Sequence, residues 1–175
     1  TICIGYNANE AQNHLQVLRQ LQYLPQAILN KISVLLQMTY GGNEEYITKV
    51  ENVISSVGCD YKLFREFMDM PQIAKLRFST DIFINAQATD GLSGSVLEAL
   101  YAGATLLNAS WLDYKEYEEW GISYKSFSSY EEIPKLLTEV LHNTYKSGRN
   151  REILQNKMSW QQCKAAWGKI IKGDS

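Results

Sequence analysis

Buried-strand patterns and helix patterns alternate along almost the whole chain, and this alternation constrains the fold more than any other feature. Short apolar runs bounded by turn residues are typical of strands, and apolar residues spaced three or four apart are typical of helices. The predicted strands are Ile2–Gly5, Ile32–Met38, Tyr61–Phe64, Asp81–Asn85, Ala104–Leu107 and Ile122–Phe127. The alternation predicts a Rossmann-like α/β fold, a parallel sheet of about six strands with right-handed crossovers and helices on both faces.

The predicted helices lie between and after these strands. They are expected at about Asn9–Leu24, Glu44–Ser56, from Asp69 to about Phe78, from about Gly94 onwards, and at Ser129–His142, Arg149–Lys157 and Trp160–Ile171. Asn9 can cap the first of them, and the segment Asp69–Gln72 has the pattern of a capping box with proline in the first turn. The 175 residues fit one domain of ordinary size.

Composition excludes several classes of protein. The chain is 45% hydrophobic and 21% charged, which is typical of a globular domain, and its net charge of -2 gives no support for a nucleic-acid partner. No apolar run is long enough to span a membrane. The three cysteines (Cys3, Cys59 and Cys163) are far apart and lack metal-ligand spacing, so we expect reduced thiols, a cytoplasmic protein and no metal site.

The most informative stretch follows the fourth strand. A loop containing Gly91 leads into a helix that starts near Gly94. Ligands of open α/β sheets bind at the carboxyl ends of strands, and the free N–H groups of a helix N-terminus attract phosphate. Both glycines allow the backbone to approach a diphosphate, and the hydroxyls of Ser93 and Ser95 add donors. The carboxylate of Glu98, about one turn further along, can accept the hydroxyls of a ribose.

The same residues also have a purely structural explanation. The segment Ser95–Glu98 fits a capping box, in which Glu98 bonds back to the start of the helix. Gly91 and Gly94 can be simple turn residues. Capping boxes are common and short motifs have many false positives, so local pattern alone favours this explanation.

A resemblance to a known family favours the ligand site. Asp90–Ser93 stands where family 4 retaining glycosyltransferases have E-G-F-G, and Leu97–Gly103 resembles their L-E-A-M-A-x-G. Asp90 and Glu98 are eight positions apart, as in the E-x7-E pattern of that family. The resemblance implies the C-terminal half of a GT-B fold. It implies the catalytic residues Asp90, near the transferred sugar, and Glu98, on the ribose.

The resemblance also implies the other donor-binding residues. It implies that the amides of Ser93, Gly94 and Ser95 meet the diphosphate and that the turn at Phe67 and Met68 lies near the base. Met70–Asp81 resembles the helix before the fourth strand of the family, and Met158–Trp160 resembles its closing "fSW" helix. The match therefore extends over most of the chain.

The first half of the chain has a second likeness. Gly5–Asn7 with Asn13 and His14, and later Met38–Gly41 with Tyr46, look like the fucosaminyl-lipid transferases of enterobacterial common antigen, which are inverting GT-B enzymes. This likeness favours an inverting enzyme, whereas Glu98 fits the retaining pattern. Both stereochemical outcomes stay open.

The chain departs from family 4 directly after the first strand. That family usually has an Arg and a Lys there, which clamp the departing diphosphate. The segment Gly5–His14 has neither. We expect Gly5, Asn7 and His14 to contact the donor phosphates with less charge. The alternative for His14 is a partly exposed helix residue.

The resemblance implies that residues 1–175 are the nucleotide-sugar-binding domain of a longer two-domain enzyme. Because the chain opens with a strand, we expect a further, acceptor-binding domain before Thr1. The whole enzyme is expected to transfer a sugar from a nucleotide diphosphate sugar to a glycan or lipid-linked acceptor in surface polysaccharide synthesis. It would need no cofactor or metal, since amides and a helix dipole can stabilise the diphosphate. The isolated domain is expected to be inactive.

Other functions stay open. The missing Arg/Lys clamp favours a non-catalytic binding or interaction module of the same architecture. A small regulator or phosphatase with a doubly wound sheet fits poorly, because no acidic cluster or phosphate-loop lysine follows an early strand. The cations between Lys146 and Lys172 either form a solvated helix face or contact the inner face of a membrane in the full-length protein.

Overall fold

The computed structural model describes residues 1–142 and 149–172, and a six-stranded sheet forms its centre. The strands are β1 Ile2–Ile4, β2 Ser33–Gln37, β3 Asp60–Phe64, β4 Ile82–Asn85, β5 Thr105–Ala109 and β6 Lys125–Phe127. All pairings are parallel, and the strand order is β3-β2-β1-β4-β5-β6. The predicted Rossmann-like sheet is confirmed.

The described helices cover this sheet. They are α1 His14–Leu21, α2 Gln26–Leu29, α3 Glu44–Val57, α4 Met70–Phe78, α5 Gly94–Ala102, α6 Lys115–Trp120, α7 Ile133–His142, α8 Asn150–Met158 and α9 Trp160–Lys172, with short 3-10 helices at Glu10–Gln12 and Tyr130–Glu132. Helix α1 packs against α3 and α7, whereas α5 packs against α4 and α8. Every residue of β1, β4 and β5 is buried, as expected of central strands covered on both faces.

The first predicted helix, from Asn9 to Leu24, is wrong in its boundaries. Asn9 does act as a cap, since its Oδ1 accepts from the N–H of Ala11 at 2.9 Å, but it caps the 3-10 helix. Asn13 then adopts a left-handed conformation with φ 57°, and α1 starts after it. This turn ends one helix and begins the next, which the apolar spacing did not reveal. The short helix α2 was also not predicted.

The capping box before α4 is confirmed. The N–H of Gln72 donates to Oδ1 of Asp69 at 2.9 Å, and the N–H of Asp69 donates to Oε1 of Gln72 at 2.8 Å. These reciprocal bonds fix the start of α4 at the carboxyl end of β3. None of the helices in residues 1–142 and 149–172 is long and apolar enough to cross a membrane.

Candidate functional site

The candidate site lies where the sheet changes its direction of winding. Strand β1 sits between β2 and β4, so the loops that leave the carboxyl ends of β1 and β4 diverge to form a crevice. Open α/β sheets bind ligands at such a switch point. The loop after β1 contains Gly5 and Asn7, and the loop after β4 contains Asp90 and leads into α5.

The start of α5 is capped by Ser93. Its Oγ accepts from the N–H of Ser95 at 3.3 Å, and Gly94 is the first helical residue. The capping box predicted from Ser95 to Glu98 is therefore wrong, because the third helical position after the true cap is Val96. Glu98 lies one turn into the helix, and its carboxylate has another partner.

The two glycines of the loop face open space. A Cβ atom added to Gly91 or to Gly94 would meet no atom within 4 Å. Neither glycine is in the left-handed region, whereas Leu92 between them is, with φ 58°. Neither packing nor backbone conformation therefore requires glycine at 91 or 94. The free volume above their backbone is available to a ligand.

Glu98 is held by a buried arginine of α4. Nε of Arg77 donates to Oε2 of Glu98 at 3.2 Å, and the two side chains are 4% and 47% exposed respectively. Glu98 and Tyr101 line two clefts, one of about 180 Å³ between α4 and α5 and one of about 660 Å³ against α8 and α9. The carboxylate is thus fixed on one side and open to solvent on the other.

Asp90 belongs to a polar cluster at the ends of β4 and β5. Its Oδ2 accepts from the hydroxyl of Tyr114 and, at 3.4 Å, from Nδ2 of Asn85. The same Nδ2 lies 3.0 Å from Oδ1 of Asn108 on the neighbouring strand. Burial raises the pKa of Tyr114, and the hydrogen bond to Asp90 raises it further. Asn85 and Asn108 were not predicted as site residues.

His14 is a core residue. Its side chain is completely buried, which corrects the alternative of a partly exposed helix residue. Nδ1 lies 3.2 Å from the hydroxyl of Tyr46, and Nε2 has no hydrogen-bond partner among the described residues. Burial lowers the pKa of His14 to about 3, so the ring is neutral at physiological pH. The ring packs under Gly5, whose φ is 64°.

Neutral hydrogen bonds join the loops after β1 and β4. Oε1 of Gln87 accepts from Nε2 of Gln12 at 2.7 Å and from the hydroxyl of Tyr6 at 3.0 Å. Nε1 of Trp111 donates to the carbonyl of Gln87 at 2.8 Å, and the backbone of Ala88 donates to Ala11. The hydrogen bonds of this junction come from amide, hydroxyl, indole and backbone groups. The sequence analysis looked for an Arg/Lys clamp at this position and did not single out Gln12 or Gln87.

Asn7 lies in the loop after β1, and the predicted base turn lies in a cleft beside β3. Oδ1 of Asn7 accepts from the N–H of Asn9 at 2.9 Å, so this side chain also shapes the loop after β1. Phe67 is 86% exposed and Met68 is buried beside it. Both line a cleft of about 540 Å³ between β3 and α4. Helix α4 separates that cleft from Glu98, so the structure does not bring the base turn and Glu98 into one pocket.

Comparisons with known proteins give matches to solved structures. No protein-family model matches the chain, and no curated protein matches it by sequence. A glycosyltransferase from Rickettsia africae ESF-5 aligns with a TM-score of 0.77 at 13% identity, over 99% of this chain and 48% of that one. HepE from Anabaena in complex with UDP aligns with a TM-score of 0.72 at 14% identity, over 95% and 48%.

A third solved structure is itself one domain. The C-terminal domain of LpcC, a glycosyl transferase group 1 family protein from Francisella tularensis, aligns with a TM-score of 0.71 at 12% identity, over 91% of this chain and 86% of that one. The chain spans about half the length of HepE and of the Rickettsia protein. At these identities the likeness shows the fold. The chain has the Rossmann-like architecture of the C-terminal half of a GT-B glycosyltransferase.

Proposed function

We propose that this GT-B half is the donor-binding domain of a glycosyltransferase. The full-length enzyme would transfer a sugar from a nucleotide diphosphate sugar to a glycan or lipid-linked acceptor in surface polysaccharide synthesis. An N-terminal domain would bind the acceptor, and this domain alone would bind donor without turnover. The proposal includes a cytoplasmic location, with a peripheral contact of the full-length protein to the inner face of the membrane.

The open start of α5 is the observation that carries the proposal. The N–H of Gly94, the first helical residue, lies at the carboxyl end of β4 beside the switch point, and the N–H of Ser95 next to it is held by the Ser93 hydroxyl at 3.3 Å. A phosphate group binds such a helix start through its N–H groups and the positive end of the helix dipole. The empty space above Gly91 and Gly94 has no role in packing, which supports a diphosphate lying against the backbone.

Glu98 provides the second contact in this proposal. A carboxylate accepts two hydrogen bonds in parallel, as the neighbouring hydroxyls of a ribose require. Arg77 holds one oxygen of Glu98, and the side chain remains 47% exposed, so it can receive a ligand. Phe67 and Met68 would meet the base of a ligand that bends around the start of α4, since that helix separates their cleft from Glu98.

The chemistry proposed for the site relies on neutral donors. The departing diphosphate gains negative charge, which preorganised N–H groups stabilise in a site that excludes water. Gly5 and Asn7 lie in the loop after β1, and His14 at the start of α1 is buried beneath Gly5. Asp90 would face the transferred sugar. HepE was solved in complexes with UDP and with UDP-glucose, which supports a nucleotide sugar as ligand for this fold.

Calorimetric titration of this chain with UDP, GDP, dTDP and the corresponding nucleotide sugars tests the proposal. We expect one nucleotide series to bind, and Glu98→Gln to weaken it by roughly tenfold, the value of one hydrogen bond to a charged group. Glu139→Gln on α7 is the matched control, because the end of α7 lies at the amino edge of the sheet. If no nucleotide binds, or if both variants bind like the wild type, the donor site is wrong.

A non-catalytic module is the second candidate. The observation that favours it is the junction between the loops after β1 and β4, where amide and hydroxyl groups stand in place of a cationic clamp. A module of this kind would bind no nucleotide in the same titration. Binding of a nucleotide diphosphate that depends on Glu98 would favour the transferase.

A further inference from the structure

The amide of Asn108 has a fixed orientation. Its Nδ2 donates to the carbonyl of Ala109 at 3.1 Å and to the carbonyl of Leu112 at 3.3 Å. Carbonyl oxygens only accept, so the nitrogen must face them and Oδ1 must face the other way. Asn108 is 1% exposed and pairs in register with Asn85 across β4 and β5. Oδ1 of Asn108 therefore points as an acceptor at Asn85.

The orientation of Asn85 follows from that of Asn108. The atom that faces Oδ1 of Asn108 at 3.0 Å must be a donor, which makes it Nδ2. Nδ2 also lies 2.8 Å from the Tyr114 hydroxyl and 3.4 Å from Oδ2 of Asp90. The reversed amide would place its oxygen against two acceptors. Asn85 thus donates towards Tyr114 and Asp90.

The hydroxyl of Tyr114 completes a directed chain of hydrogen bonds. Because it accepts from Asn85, its single proton is available for Asp90, and Oδ2 of Asp90 accepts it. One N–H of Asn85 goes to Asn108, so its other N–H is shared between the Tyr114 hydroxyl and, at 3.4 Å, the same Oδ2 of Asp90. Among the residues that the structure describes, no donor is recorded on Oδ1 of Asp90, and the side chain is only partly buried. The chain of bonds therefore fixes Asp90 as an acceptor that presents Oδ1.

We infer that Tyr114, oriented by Asn85 and Asn108, is a positioning residue that holds Asp90 to accept a hydrogen bond from a hydroxyl or ammonium group of the transferred sugar. The inference rests on the proposed function, since it needs a donor sugar near Asp90. Tyr114 acts through Asp90 and does not itself contact the ligand. Nucleotide without a sugar gives Asp90 nothing to bind.

Tyr117 in α6 provides a matched control for Tyr114, which is the residue before that helix. Its ring lies 4.7 Å from that of Tyr114, centroid to centroid, and is completely buried. Its hydroxyl has no hydrogen-bond partner among the described residues. Tyr117→Phe removes the same atom as Tyr114→Phe from the same cluster, but it leaves the bond to Asp90 in place.

Calorimetry on the whole chain tests the inference with UDP and UDP-glucose, GDP and GDP-mannose, and dTDP and dTDP-glucose. For the pair that the wild type binds, Tyr114→Phe is expected to weaken the nucleotide sugar by roughly tenfold and the nucleotide by less than about twofold. Tyr117→Phe is expected to change neither. In an Asp90→Asn background, Tyr114→Phe is expected to have no further effect on affinity, because both substitutions break the same chain of hydrogen bonds.

Each result decides a different question. Equal weakening of nucleotide and nucleotide sugar by Tyr114→Phe would show a general structural role and overturn the inference. So would an unchanged affinity for the nucleotide sugar, or effects of Tyr114→Phe and Asp90→Asn that simply add. A wild-type chain that binds neither ligand of any pair would refute the proposed function, and this inference with it.

Discussion

Arg77 and Glu98 form an ion pair between a buried cation and a half-exposed anion. Nε and Oε2 are 3.2 Å apart, and only 4% of the Arg77 side chain is exposed. The guanidinium also lies 5.8 Å above the ring of Phe83, and Nη1 has no hydrogen-bond partner in the described part of the chain. A charge buried in this way depends on its counter-ion. Glu98 therefore has a role in stability as well as the proposed role in binding.

Truncation of Glu98 is expected to destabilise the domain. Glu98→Ala leaves the Arg77 charge buried without its partner, and we expect a loss of about 1–3 kcal/mol in the free energy of unfolding. The value lies below that of a fully buried pair, because Glu98 is half exposed. Glu98→Gln keeps an oxygen for Nε of Arg77 and is expected to lose less. Urea denaturation measures both.

The double variant Arg77→Met with Glu98→Gln is the control for the predicted loss of stability in Glu98→Ala. It removes the buried charge together with its partner, so we expect it to be more stable than Glu98→Ala. An unchanged free energy of unfolding in Glu98→Ala would contradict the dependence of Arg77 on Glu98.

Gly94→Ala separates ligand binding from folding. A methyl group there meets no protein atom within 4 Å, and φ is not in the left-handed region. We expect the free protein to keep its stability or gain up to about 0.5 kcal/mol, because alanine restricts the unfolded chain. The same methyl group occupies the space proposed for the diphosphate, so nucleotide affinity is expected to fall by at least about tenfold. Thermal unfolding and calorimetry measure the two effects.

Gly42→Ala is the contrasting variant. A Cβ atom on Gly42 would lie 2.2 Å from the carbonyl oxygen of Ala8, so this substitution is expected to destabilise the fold itself. A stable Gly94→Ala protein with wild-type nucleotide affinity would remove the main support for the diphosphate site.

The fold could be predicted because its signals are local. The strands β2, β4 and β5 are short apolar runs, and the Asp69–Gln72 capping box marks the start of α4 within the sequence itself. The break at Asn13 could not be predicted in this way. It depends on a single left-handed residue, and the apolar spacing around it also fits a continuous helix. The four-residue helix α2 is too short to show a period.

The candidate site was predictable only in part. Asp90, Gly91, Gly94 and Glu98 lie close together in the sequence, between the end of β4 and the first turns of α5, and the family likeness depends on this local pattern. The partners that fix them are remote: Arg77 is 21 positions from Glu98, and Tyr114 is 24 positions from Asp90. Polar residues at the ends of two neighbouring strands, Asn85 and Asn108, were a signal that the sequence offered. Their pairing required the register of the sheet.

Gly5→Ala is expected to destabilise the protein strongly. Gly5 has a φ of 64°, and a Cβ atom would lie 2.7 Å from Nε2 of His14 and 2.9 Å from Oε1 of Gln12. Backbone strain and overlap together are expected to lower the free energy of unfolding by about 2–4 kcal/mol. Chemical denaturation measures the loss. Gly121→Ala is the control, because it has a similar φ of 75° but open space at Cβ, and it should show the strain alone.

His14 is expected to make stability depend on pH. Burial lowers its pKa to about 3 in the folded protein, against an ordinary value of 6.5. Below pH 6.5 the unfolded chain therefore binds a proton that the folded protein does not. The stability that the neutral ring contributes is fully present above pH 6.5. It is lost as the pH falls towards 3, by at most about 1.4 kcal/mol per pH unit.

His14→Gln isolates this contribution, because glutamine keeps a polar group near the Tyr46 hydroxyl and does not titrate. Denaturation curves between pH 7 and pH 4 should show a shallower fall in the free energy of unfolding for the variant than for the wild type. Parallel curves for wild type and His14→Gln would mean that the buried ring takes up a proton without unfolding.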